Sequence, residues 1–197
     1  MGFNQNNREL VMKNKIFQII FFLLVCFFPS SCKIYEKELD NPVDHKADNA
    51  PDLPALVFFP KSQSKSLLDT VKVESFIVFY SDSLAPFSAI ELSFNYDQSL
   101  LELDTIIPGL FITDTNNSTP LFVYNYDTPG MVELLAFFLD EEKIAIEGTG
   151  HLADLRFHPL ESGVTIVDYQ IESCFIYDNN DNMIQLNGKR AAEVIIE

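Results

Sequence analysis

Tryptophan is absent from the 197 residues, histidine and cysteine occur three times each, and 13 lysines and arginines stand against 29 acidic residues. Each shortage closes off a class of function. Without tryptophan, the flattest and largest surface for stacking against a sugar is missing. The acidic excess repels nucleic acid and anionic membrane. Of the cysteines, Cys26 lies inside an apolar N-terminal run and Cys32 directly after it, which leaves Cys174 without a partner in an exported chain. A disulfide framework and a cysteine-based metal site are therefore excluded. Cys174 stands beside Phe175 and Ile176 and reads as a small buried hydrophobe rather than a nucleophile. There is no G-x-S-x-G elbow, no H-E-x-x-H pair and no P-loop. Nothing singles out two carboxylates as a glycosidase pair in so acidic a chain. His45 lies in a polar stretch, while His151 and His158 are seven residues apart on one expected strand. That odd spacing sends them to opposite faces, so they form no joint metal site. The expectation is a protein with no catalytic residue, no bound metal and no cofactor of its own.

What is present begins with an address. Lys13 and Lys15 precede the apolar run "IFQIIFFLLVCFF", which is followed by "PSSC". A basic start, an apolar stretch of this length and small residues before a cut are the parts of an export signal. The run is shorter than the roughly 20 apolar residues of a membrane-spanning helix. Met12 as the start gives a signal of more usual length. Ser30 and Ser31 before Cys32 resemble the lipobox of bacterial lipoproteins, with Pro29 where leucine is usual. That resemblance implies a signal over residues 1–31 and a lipid on Cys32, which holds the protein to a membrane without spanning it. The expected location is a bacterial cell membrane, on the surface or facing the periplasm. Removing residues 1–31 leaves 10 basic and 28 acidic residues, a formal charge of −18. Such a charge suits neutral polysaccharide, cations or a basic protein face, and it also keeps an exported protein soluble.

Residues 32–54 are charged, contain prolines and have few large apolar side chains, the composition of a flexible tether. From Ala55 to Glu197 the texture changes to short apolar runs separated by turn residues, over a length that suits one domain. Strands are expected at 55–59, 70–80, 88–96, 100–104, 121–126, 131–138, 150–158, 165–172, 175–177, 183–186 and 192–196. Between them stand "SDSLAP", "TDTNNSTP", "DTPG", "DEE", "ESG", "DNNDN" and "NGK". No segment of the domain sustains a helical apolar stripe over three turns. Many short strands with such turns predict an all-β fold, an antiparallel two-sheet β-sandwich.

Two motifs look chemical and are better explained by structure. Gly148-Thr149-Gly150-His151-Leu152-Ala153 fits the dinucleotide pattern G-x-G-x-x-(G/A), with Asp168 as a conceivable ribose acid. That pattern needs a helix after the glycines. Here Ala153, Leu155 and Phe157 alternate with Asp154, Arg156 and His158, the period of a half-buried strand, and Pro159 follows. Gly148 and Gly150 then serve an abrupt change of direction or a positive φ at the strand's start. Asp178, Asn180 and Asn182 alternate like half of a calcium loop, but the loop glycine and the terminal glutamate are missing. This stretch reads as a hairpin turn between 175–177 and 183–186, and Asp140-Glu141-Glu142 as a solvated turn.

In order and spacing, the domain resembles cohesin modules, the jelly-roll sandwiches of bacterial cellulosome scaffolds. "AIELSFNYDQSLLELDTI" is similar to a cohesin strand ending in Tyr-Asp, here Tyr96-Asp97, and followed by Leu-Glu, here Leu101-Glu102. "GMVELLAFFLDEE" resembles the family's next core strand, and "IEGTGHLADLRFHPLESG" the strand led by Gly-x-Gly. The resemblance implies a non-catalytic module that docks a dockerin-like or other protein partner, linked to polysaccharide breakdown, with calcium entering only through the partner. It places Ala89 and Glu91 where well-known cohesins carry an Asn and an Asp for the dockerin. Glu91 accepts hydrogen bonds and Ala89 does not, so the recognition code differs. Glu133 is expected on the same wet face, with Tyr124 and Tyr126 as flat contact area or as ordinary strand packing. Two alternatives stay open: direct carbohydrate binding by the sandwich face, and a structural surface lipoprotein.

Overall fold

The alternation seen in the sequence becomes two stacked sheets. The computed structural model describes residues 51–79, 87–113, 120–138, 150–178 and 180–197. The expected export signal, most of the expected tether, Cys32, His45, Gly148 and the expected turn at 140–142 lie outside the described residues. The strands are β1 (Ala55–Phe59), β2 (Ser62–Lys65), β3 (Val71–Val78), β4 (Phe87–Asn95), β5 (Leu101–Pro108), β6 (Pro120–Asn125), β7 (Met131–Phe138), β8 (Gly150–Pro159), β9 (Gly163–Tyr169), β10 (Phe175–Asp178), β11 (Gly188–Arg190) and β12 (Ala192–Ile196). One helical turn, α1 (Leu110–Thr113), follows β5. The small sheet has the order β11-β1-β3-β8-β5, and the large sheet β2-β12-β9-β4-β7-β6 with β10 also paired to β4. Among the described residues, no helix is long and apolar enough to cross a membrane.

Most pairs are antiparallel, but β1–β11 and β12–β2 are parallel, so the sandwich is mixed rather than purely antiparallel. The reason lies in two crossings between sheets. β1 ends at Phe59 before Pro60, whose missing N–H suits a strand end, and the chain re-enters the other sheet as β2. β11 and β12 make the same crossing with Ala191 alone between them. The first and last segments of the domain thus run side by side in both sheets. β2, with the sequence SQSK, and β11, with GKR, carry no apolar alternation and were not expected as strands. Residues 183–186, expected as a strand, make only the bridge Tyr177–Met183. The strand expected over 165–172 stops at Tyr169, and Ile171–Ser173 form a 3-10 turn.

An aromatic stack joins the sheets. Phe58 of β1 lies 3.9 Å from Tyr169 of β9, with the rings within 3° of parallel, and Phe94 of β4 meets Phe58 edge-on at 5.6 Å. Each such pair contributes about 0.5–1.5 kcal/mol beyond the area it buries. The fully buried Tyr169 hydroxyl sits 2.8 Å from the Ser75 hydroxyl of β3, which satisfies both groups across the core. Burial raises the Tyr169 pKa well above its ordinary value, so the phenol stays protonated. A smaller cluster of Leu53, Ala55, Val57 and Val78, with Phe76 against it, covers part of the small sheet's outer side.

From Gly150 onward the chain is the strand β8, where a dinucleotide cradle needs a helix. Leu155 and Phe157 are buried and Arg156 and His158 exposed. The glycine requirement has a different cause from the one expected. Gly150 has no positive φ; instead a Cβ there would overlap the Phe111 ring of α1. Positive φ belongs to Gly130, at 72°, in the turn before β7. The histidines also depart from expectation. A bulge lets Ser75 pair with Ala153 and Phe76 with His151, leaving Leu152 as the extra residue. The alternation resets there. His151 therefore shares the outer face of the small sheet with Asp154, Arg156 and His158, although it remains about 20 Å from His158 along the strand.

Candidate functional site

The outer face of the large sheet can be built row by row from the strand register. Glu91 of β4 is flanked by Phe175 of β10 and Leu135 of β7, and Leu135 by Val123 of β6. Two residues along, Ser93 stands beside Glu133, and Glu133 beside Asn125. On the other side of the first row lie Tyr177, Ala89, Phe137 and Leu121. Paired residues point to the same face, so Glu91 and Glu133 are diagonal neighbours on one surface, about 7–8 Å apart at this register. Both carboxylates are exposed.

Between these rows lies a shallow concavity of about 390 Å³, lined by Glu91, Val123, Tyr124, Asn125, Glu133, Leu134 and Leu135. Of the expected contact residues, Glu91 and Glu133 share this face; Tyr124 borders the same concavity, but its pairing with the core residue Leu134 puts it on the reverse side of β6. Asn125 donates its amide to Glu133 at 3.4 Å and accepts from the Asp127 N–H at 2.9 Å, which ties the end of β6. Tyr124 follows the alternation of Phe122, which packs on the core. It nevertheless stays 40% exposed, because β6 is the terminal strand of the sheet. Tyr126 lies just past β6 and outside the concavity's lining, with its ring 6.1 Å from that of Tyr124 and 25° from parallel. Ala89, on the row beside Glu91, adds no polar group.

The surface is more apolar than the expected residues imply. Leu121 and Val123 on β6 and Val164 and Ile166 on β9 are exposed, the last two by 60% and 56%. On β9 they alternate with the buried Thr165 and Val167. The sequence signal for them is "GVTIVDY", in which the apolar residues belong to both faces and Thr165, not Val164 or Ile166, is the one covered. Glu193 of β12 stands beside Ile166 and accepts from the Ser62 hydroxyl at 2.9 Å. Lys189 pairs with Asp168 at 2.7 Å and donates to the Tyr169 carbonyl, so Asp168 has a structural partner and no role toward a ribose.

Beneath the face, Cys174 holds the point where β9 and β10 share one edge of β4. Its thiol donates to the Ser93 carbonyl and accepts from the Ser93 N–H, both at 3.4 Å. Burial pushes its pKa up to about 11, so it remains a thiol and offers no nucleophile. At the sheet's margin, Asp178 accepts from the N–H groups of Asn180 and Asn182 and from the Asn182 amide. These donors hold its carboxyl below the usual range, led by the Asn182 side chain. The turn reading of this stretch thus accounts for its polar residues.

The family model described as Cohesin domain matches residues 69–190. Among solved structures, the CaCohA2 module of Clostridium acetobutylicum is 21% identical, covering 72% of this chain and 90% of its own, with a TM-score of 0.55. The sixth cohesin of Acetivibrio cellulolyticus scaffoldin B, solved with a Cel5 dockerin, is 18% identical, with 73% and 98% covered and a TM-score of 0.58. The OlpC cohesin of Clostridium thermocellum, in complex with a dockerin, is 19% identical, with 73% and 92% covered and a TM-score of 0.58. At these identities the likeness is one of fold. No curated protein matches the chain at the sequence level.

Proposed function

Because the chain belongs to the cohesin family, whose pattern runs through well over half of it, we propose that the outer face of its large sheet docks a dockerin-like helical module of a partner protein. Cohesin modules are non-catalytic binding domains, and this protein is a binding module rather than an enzyme. The observation that carries the docking reading is the uncovered apolar surface on β6 and β9, with Glu91 and Glu133 between its two parts. A helix laid across this face buries Val123, Leu135 and Ile166, while the two carboxylates receive lysine, arginine or hydroxyl donors from the partner. Ala89 contributes only its methyl group, so the partner's matching position needs no donor. Calcium enters through the partner's own loops. A lipid on Cys32 holds the module at a bacterial membrane, where it gathers enzymes of polysaccharide breakdown.

The test is capture from an extract of the source organism, with the intact chain as bait, in calcium and then in a chelator. A partner retained only in calcium and carrying paired calcium-loop helices is the expected result. Retention of no protein rejects docking. Fractionation tests the anchor: Cys32→Ser should move the protein from the membrane to the soluble fraction, and an unchanged distribution rejects lipidation. The exposed, stacked Tyr124–Tyr126 pair favours a second reading, direct glycan binding. Depletion of the bait by insoluble polysaccharide, abolished in Tyr124→Ala, distinguishes it from docking.

A further inference from the structure

A second constellation lies on the other side of the sandwich, on the outer face of the small sheet. Glu74 of β3 and Asp154 of β8 are directly paired across the two strands. In a regular strand His151, three residues before Asp154, would point into the core. The bulge at Leu152 turns it outward, and its Nε2 comes within 2.7 Å of Asp154 Oδ1. One potential ligand atom from each of Glu74, His151 and Asp154 then lies within 4.8 Å of the others. The His151 and Asp154 side chains are only 21% and 16% exposed. Their facing atoms are buried and, although close, do not meet with hydrogen-bond geometry, so neither is satisfied by a hydrogen bond among the described residues. The Phe76 ring, 5.0 Å from the imidazole and tilted by 31°, braces it from one side.

We propose that Glu74, His151 and Asp154 form a binding site for a divalent transition-metal ion, with zinc the best chemical match. One imidazole nitrogen and two carboxylate oxygens suit zinc, which takes mixed N and O donors and favours four-coordinate sites. Calcium and magnesium favour all-oxygen shells with more ligands. A fourth position remains for water. Lys72 is the competitor: its ammonium lies 2.6 Å from Glu74 Oε1 and 3.0 Å from Asp154 Oδ2. Its side chain is 46% exposed, and an ion pair in that setting is weak enough for the lysine to swing into solvent when a doubly charged ion enters. The bulge gives up regular ladder pairing at this point, and what it builds is this cluster, in keeping with bulges that re-aim side chains beside functional sites. A bound ion would staple β3 to β8 at the place where their register slips. The site is on the face opposite the proposed docking surface and stands whether or not that reading holds.

The experiment is calorimetric titration of the intact, chelator-treated protein with zinc chloride and, separately, calcium chloride, followed by thermal melts with and without zinc. The expected result is one zinc bound per chain at least tenfold more tightly than calcium, with a higher melting temperature. His151→Ala and the isosteric Glu74→Gln should each weaken zinc at least tenfold and remove the thermal shift, while Lys72→Ala should strengthen it. If His151→Ala proves unstable, Glu74→Gln decides alone. No stoichiometric zinc binding, or titrations of the variants that match the wild type, overturns the proposal.

Discussion

The two outer faces of this sandwich were made by the same alternation and ended up chemically unlike. The small sheet turns Lys72, Glu74, Asp154, Arg156 and His158 outward, with Lys72 bridging Glu74 and Asp154 and His158 lying 3.8 Å from Asp104. The large sheet turns Leu121, Val123, Val164 and Ile166 outward, with isolated carboxylates among them. A charged face is at rest in water. Exposed apolar surface of this kind is, in general, what interaction sites leave uncovered. The proposed docking side rests on what each sheet leaves uncovered, more than on any single residue.

The most severe way to break that contrast is to disturb the strand that supplies the charged side. Gly150→Val should force the Phe111 ring away from β8 and destabilise the domain by about 3 kcal/mol, the upper part of the range for overpacking. Thermal melting checks it, and a normal melting temperature would show that α1 yields easily. A sharper comparison sets one exposed change on each face. Val123→Arg should leave stability within about 0.5 kcal/mol. It should also weaken partner binding at least tenfold, about 1.4 kcal/mol. Arg156→Glu, on the opposite face, should leave binding unchanged. Equal losses in both variants would mean that the two faces do not differ in function.

The smallest effect concerns the rim. Because the folded protein holds the Asp178 carboxyl below its usual value, that group stabilises the fold above about pH 4 and loses the contribution as pH falls through its lowered pKa. Melts from pH 7 down to pH 3 should show a slightly shallower decline for Asp178→Asn than for the wild type. Identical slopes would mean that the turn is already broken in the folded state.

Much of this was legible in the chain. β1, β7 and β12 begin and end where apolar periodicity places them, because each has one buried face and clear turn residues at its ends. Ala153, Leu155 and Phe157 are in the core as their alternation requires. β2 and β11 were not legible. Their pairing satisfies backbone groups without burying an apolar side, and periodicity is blind to that. For the candidate surface, Glu91 and Glu133 were readable from strand parity, whereas Val164 and Ile166 were not, because the polar Thr165 between them is the residue that faces the core.

By itself the sequence determined the all-β character and which residues of each regular strand share a side, since a period of two follows from local backbone geometry. Only the tertiary structure decided which of those sides is covered, because burial depends on what the opposite sheet brings to it. The packing of β3 against β8 likewise decided that Leu152 bulges. That one extra residue moved His151 from the core side to the side of Asp154 and Glu74, a change of register between strands about 75 residues apart that no local pattern encodes.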